Sequence, residues 1–105
     1  MTDAGVASRG ADPGRLEIAL SGEIDLQNAG AVERQLDDLV SNTTESVTID
    51  LTRLTYLDSA GLRVLFGLAS RLELLQVHLE LRVPRGSVVR RAVEVSGLGE
   101  GVAID

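Results

Sequence analysis

The chain has no cysteine and only two aromatic rings, Tyr56 and Phe66, in 105 residues. Without thiols there are no disulfides and no thiolate metal sites, and with so few rings there is no stacking platform for single-stranded nucleic acid. Basic residues are in the minority, 10 against 16 acidic ones, and the net charge of −6 repels phosphate backbones and anionic membrane surfaces. No stretch approaches the roughly 20 apolar residues of a membrane span. The opening MTDAGVASRGADPG lacks the basic start and apolar centre of a signal peptide. These absences argue against nucleic acid and direct membrane insertion and lead us to expect a cytoplasmic protein. What is present, 44% apolar and 25% charged residues, is an ordinary globular composition whose core must be filled by Leu, Val, Ile and Ala.

Hydrophobic periodicity gives the order of elements. Residues 1–14 are small and polar and read as a loosely held arm or a short edge strand near Val6, closed by the turn signal DPG at 12–14. RLEIAL alternates, with Leu16, Ile18 and Leu20 on one side, as in a half-buried strand. From Leu26 to Val40 the spacing changes to three and four, through Ala29, Val32, Leu36 and Leu39, which predicts an amphipathic helix. SVTIDL is again a strand, then Leu62, Leu65, Phe66 and Ala69 form a helical stripe, and VHLELRV alternates until Pro84 stops it. GSVVRRAVEVSGLG predicts a third helix with Ser87 as N-cap, Val89, Ala92 and Val93 inward and Gly97 at its end, and GVAID a last short strand.

Strand alternating with helix implies an α/β layer with parallel strands. Because the strands alternate instead of being apolar on both faces, helices should cover one side of the sheet only. Glu17, Thr48, Asp50, His78, Glu80 and Arg82 would then lie on the open side.

One stretch, TYLDSAGLRV at 55–64, sets Asp58, Ser59 and Gly61 between a strand and a helix. A nucleophilic serine needs a histidine to take its proton. The single histidine, His78, lies in mid-strand beside Glu80 and Arg82 and reads as an ordinary exposed residue, and the glycine-flanked elbow GxSxG is missing. Asp58 or Ser59 can instead cap the helix. A serine there also sits where free N–H groups and the helix dipole favour negative charge, with only Ala60 and Gly61 beside it. That combination suits a phosphoacceptor. In LSGEIDL, residues 20–26, Asp25 falls at the end of a strand; it either caps the helix that follows or meets the Ser59 loop on one rim, if the two strands are neighbours. Asp25 and Asp58 together give only two ligands, so no metal site is assigned.

LSGEIDL, VTIDLTRLTYLDSAGLRVL and VVRRAVEVSGL, in this order, resemble the STAS domain family, and within it the small bacterial anti-sigma-factor antagonists. The resemblance runs over residues 15–105 as a single domain and implies a mixed sheet of four to five strands with helices packed mainly on one face. It implies partner switching: the unphosphorylated antagonist binds an anti-sigma factor that is also a serine kinase, so releasing the sigma factor; phosphorylation at Ser59 switches it off, and a serine phosphatase restores it. On this resemblance the partner-binding residues are Asp25, Asp58, Ser59, Ala60, Gly61, Leu62 and Arg63. ATP and Mg²⁺ belong to the kinase, so the chain itself needs no cofactor and is not an enzyme. STAS domains also occur as non-phosphorylated subunits that dock to lipid-transport ABC complexes or stress-signalling assemblies. There the serine would be a cap alone; a serine at 59 in a free-standing domain favours the antagonist.

Overall fold

The computed structural model describes residues 3–10 and 12–105; Met1, Thr2 and Ala11 of the N-terminal arm lie outside the described residues. Five strands, β1 (Ala4–Arg9), β2 (Arg15–Ile24), β3 (Ser46–Leu57), β4 (His78–Arg82) and β5 (Ala103–Ile104), form one sheet in the order β1-β2-β3-β4-β5. β1 runs antiparallel to β2, and the remaining pairs are parallel. Helices α1 (Ala29–Leu39), α2 (Ser59–Leu74) and α3 (Val88–Ser96) connect the parallel strands. This is the α/β layer that the alternation predicts and the mixed sheet that the resemblance implies, with Val6 inside an edge strand.

The core is continuous and aliphatic. Ile18, Leu20 and Ile24 of β2, Val47, Ile49 and Leu51 of β3, and Leu79 and Leu81 of β4 pack under Val32 and Leu36 of α1, Leu65, Leu68 and Leu72 of α2, and Val89 and Val93 of α3. The alternate positions line the open face. There Arg82 reaches Glu17 at 3.1 Å and Arg9 reaches Asp50 at 3.4 Å, and a shallow depression is bordered by Arg15, Thr48, His78 and Glu80. α3 begins with Ser87 Oγ accepting from Arg90 N–H at 3.0 Å and ends at Gly97, whose φ of 83° is left-handed, as expected of Gly.

Four sequence expectations need correction. β2 and β3 are longer than their alternating segments. Two register shifts each place an additional residue in β3, between Asp50 and Arg53 opposite Ala19 and Ser21, and between Leu54 and Tyr56 opposite Gly22 and Glu23. Such bulges turn a strand's period of two into three, so Leu51, Leu54 and Leu57 are the buried positions. Gly22, at φ 82°, lies so close to the Asp3 carbonyl that a Cβ would collide with it. The α2 stripe is rotated: Val64 and Leu68 point inward with Leu65, while Phe66 is 39% exposed and Leu62 and Ala69 are half-buried. Ala92 of α3 is half-buried as well. Finally, α1 starts at Ala29, not at Leu26, because residues 25–28 form a turn in which Asn28 and Ala29 N–H both bond the Asp25 carbonyl.

Candidate functional site: the rim of β2 and β3

β2 and β3 are parallel neighbours, so their C-terminal ends open onto the same rim. The two loops are joined there by a bond from Asp58 N–H to the Ile24 carbonyl at 3.2 Å. Asp25 and Ser59 therefore belong to one surface, as anticipated for neighbouring strands.

The β3–α2 connection is a single residue. Asp58 has extended backbone, with φ −98° and ψ −169°, and its Oδ1 accepts from Ala60 N–H at 2.8 Å and Gly61 N–H at 3.1 Å. One carboxylate oxygen thus satisfies two of the N–H groups that a helix start leaves unpaired. The cap is Asp58, and Ser59 is left as the first helical residue, exposed to solvent. Among the described residues no partner bonds the Ser59 hydroxyl.

Gly61 is buried on the inner side of this first turn, where a Cβ would run into Leu57 Cδ1 and Ile24 Cγ2. Its lack of a side chain lets α2 begin hard against the ends of both strands. Ala60 and Leu62 are half-buried, and Arg63 is exposed one turn after Ser59.

The β2–α1 turn is built differently. Asp25 does not cap the helix; its Oδ1 accepts from Gln27 N–H at 2.9 Å. The turn is held by Asn28, whose Oδ1 accepts from Asp25 N–H at 2.9 Å while its Nδ2 donates to the Glu23 carbonyl at 2.8 Å. This geometry pushes Leu26 out, 80% exposed. A groove between the starts of α1 and α2 is lined by Leu26, Gly30, Glu33, Ala60 and Arg63.

All seven residues expected at the site thus fall at the β2–α1 turn or the start of α2. Leu26, Asn28 and Glu33 were not anticipated. Asn28 had a legible signal, an Asn directly ahead of the helical period. Leu26 had none, because it continues the apolar spacing of the helix and looks like one of its core positions. Among the described residues no group of three or more His, Cys, Asp or Glu could hold a metal ion, and no helix is long and apolar enough to cross a membrane.

Residues 9–104 match the STAS domain family. An anti-sigma-F factor antagonist of Mycobacterium tuberculosis, RsfB, is 34% identical over 81 residues, 77% of this chain and 65% of that protein; the chain therefore spans about two thirds of that relative's length. In fold, it is similar to an anti-sigma factor antagonist from Mycobacterium paratuberculosis, with a TM-score of 0.84 at 24% identity over 97% of this chain and 85% of that one. It is also similar to the anti-sigma factor antagonist SpoIIAA in its unphosphorylated form, TM-score 0.77, 20% identity, 96% of this chain and 88% of that one. The phosphorylated form of SpoIIAA, from Bacillus, gives a TM-score of 0.73 at 20% identity over 96% of this chain and 91% of that one. The match over nearly the whole chain, on a mixed sheet whose DSAGL segment starts the second helix, places this protein in the STAS domain family, among relatives that are anti-sigma factor antagonists.

Proposed function

We propose that the chain is an anti-sigma factor antagonist that works by partner switching. Unphosphorylated, it binds an anti-sigma factor over the rim formed by the β2–α1 turn and the start of α2, and the sigma factor is released. The same partner is a serine kinase. The Ser59 Oγ attacks the γ-phosphorus of ATP, the new O–P bond replaces the bond to ADP, and the hydroxyl proton passes to a base of the kinase. A serine phosphatase reverses the modification by hydrolysis.

The observation that carries this reading is the division of labour between Asp58 and Ser59. Because Asp58 performs the capping, the Ser59 hydroxyl is exposed, without a bond to any described residue, and held on a fixed helix start. A phosphate there adds about −1.5 to −2 charges beside Asp58, on the same rim as Asp25. Losing about 3 kcal/mol of contact energy weakens a complex more than a hundredfold, so one modified hydroxyl is sufficient for a switch. The chain contributes the substrate side chain and the docking surface, and the chemistry belongs to the partner.

Incubation with the cognate anti-sigma factor, ATP and Mg²⁺ should add one phosphate, which mass spectrometry maps to Ser59. Ser59→Ala should accept none and still bind the partner, whereas Ser59→Asp should weaken binding at least about tenfold, or 1.4 kcal/mol. A reaction that leaves Ser59 unmodified, or a native partner that proves to be a transporter ATPase, would overturn the proposal.

A further inference from the structure

Stepping by three and four from Ser59, the outer face of α2 carries Arg63, Phe66 and Ser70, all exposed. Arg63 stands one turn beyond Ser59, and residues four apart on a helix have Cβ atoms about 5–6 Å apart. Among the described residues Arg63 makes no ion pair, whereas Arg71, two turns further along the same helix, is bound to Asp37 of α1. The acidic groups around Arg63 are otherwise engaged or more distant along the chain. Asp58 holds Ala60 and Gly61 N–H, Asp25 accepts from Gln27 N–H, and Glu33 of α1 borders the same groove as Arg63 without bonding it.

We infer that Arg63 is the internal counter-ion of a phosphate on Ser59, so that phosphorylation withdraws a cation from the docking surface at the same time as it adds negative charge. The inference rests on the reading of Ser59 as the phosphoacceptor. An acidic group four residues N-terminal to a basic one is the favourable order on a helix. A guanidinium offers paired N–H donors that match phosphate oxygens, in a bond stronger than one between neutral groups. Before modification, Glu33 is the one acidic side chain among the described residues that line the groove with Arg63, with a single charge; the phosphate brings about two, on Arg63's own helix. The rim then changes in two ways for an approaching partner: Ser59 becomes an anion, and Arg63 is folded back onto it.

The test uses the full chain with phosphoserine installed at position 59 during synthesis, so it does not depend on any kinase. The second ionisation of the phosphate is followed by ³¹P NMR against pH, at low and high salt, in the parent, Arg63→Gln, Arg63→Lys and Glu33→Gln backgrounds. Arg63 favours the dianion, so the parent should titrate about 0.2–0.4 pH unit below Arg63→Gln at low salt. The gap should shrink at high salt, Arg63→Lys should recover part of it, and Glu33→Gln should lower the parent value further. Since Arg63 is exposed, the substitutions should leave the fold intact, which the thermal midpoint checks. Identical titration with and without Arg63 overturns the inference while leaving Ser59 as phosphoacceptor. Failure of the kinase to modify Ser59 overturns that reading without changing the titration result.

Discussion

The rim and the open face of the sheet are both rich in carboxylates, but they use them in opposite ways. On the open face acidic groups meet arginines: Glu17 with Arg82, Asp50 with Arg9. At the rim they meet backbone: Asp58 holds two N–H groups of α2, and Asp25 one of its own turn. Among the described residues Asp58 makes no ion pair, so its bonds to N–H groups leave its charge uncompensated, while an ion pair cancels it. The start of α2 therefore holds a fixed negative charge at Asp58, whereas the open face pairs its charges in two ion pairs. Added phosphate is felt most strongly where fixed negative charge is already concentrated, and Ser59 lies there.

Substitutions at the rim should accordingly cost stability through geometry, and the largest effect is expected at Gly61. A β-branched side chain would overlap Leu57 and Ile24, both buried, and overpacking of a filled core typically costs about 1–3 kcal/mol. Gly61→Val should lower the unfolding free energy read from urea titration by that amount and shift α2 away from the strand ends, so partner binding should fall even in the fraction that is folded. Next comes Asp58→Ala, which removes both cap bonds at a cost of about 1–2 kcal/mol. Asp58→Asn keeps an acceptor oxygen and should restore most of that stability in the same denaturation experiment. It also removes a charge beside Ser59, which separates the capping role of Asp58 from its electrostatic one.

Much of this was legible in the sequence where periodicity and chemistry agree. Leu79 and Leu81 alternate inward as expected, Ser87 caps α3, and DSAGL carries the chain from strand into helix. The failures have a common cause in that local pattern was overridden by a neighbouring element. In β3 the bulges opposite Ala19–Ser21 and Gly22–Glu23 convert alternation into the three-residue spacing of Leu51, Leu54 and Leu57, a pattern easily mistaken for loop or helix. Phe66 is apolar and fits a core stripe by pattern, yet the buried face of α2 runs through Gly61, Val64, Leu65, Leu68 and Leu72 and leaves Phe66 at the surface. Leu26 extends the helical spacing three residues ahead of the true start of α1, and only the bonds of the Asp25 carbonyl and the Asn28 side chain reveal a turn. That a serine at a helix start could carry a phosphate was readable from the residues; which residue frees it from capping required the geometry.

A smaller effect is expected at Asn28, the N-cap position of α1, whose side chain ties the β2–α1 turn and makes no cap hydrogen bond to the helix. Asn28→Ala leaves Asp25 N–H and the Glu23 carbonyl without their partner. Since the site is only partly buried, water can replace it in part, and a loss of about 1 kcal/mol is expected. Ser59 and its cap should be undisturbed, so kinase modification should proceed at a rate near that of the parent even though the turn carrying Asp25 and Leu26 is loosened. A large fall in modification would mean that the kinase reads both loops together and not the start of α2 alone.

The smallest effect at neutral pH should come from the open face, and there it should depend on pH. Burial alone would raise the pKa of Asp50, but this is outweighed by the bonds from the Thr52 hydroxyl and N–H and by the charges of Arg82 and Arg9, so its carboxyl is held below the ordinary range. As pH falls, Asp50 of the unfolded chain takes up its proton first, and the folded state loses its advantage until its own lowered pKa is passed. Parent and Asp50→Asn should therefore differ by less than about 1 kcal/mol at neutral pH, as for other solvent-accessible ion pairs, and the difference should disappear through the acid range below the usual carboxylate pKa. Salt should reduce the part due to Arg9 and Arg82 and leave the part due to Thr52. Urea titrations of both proteins at stepped pH measure this directly. A gap that persisted in acid would show that Asp50 acts through its shape and hydrogen bonds, as the rim carboxylates do, and the contrast between the two regions would then lie in their location alone.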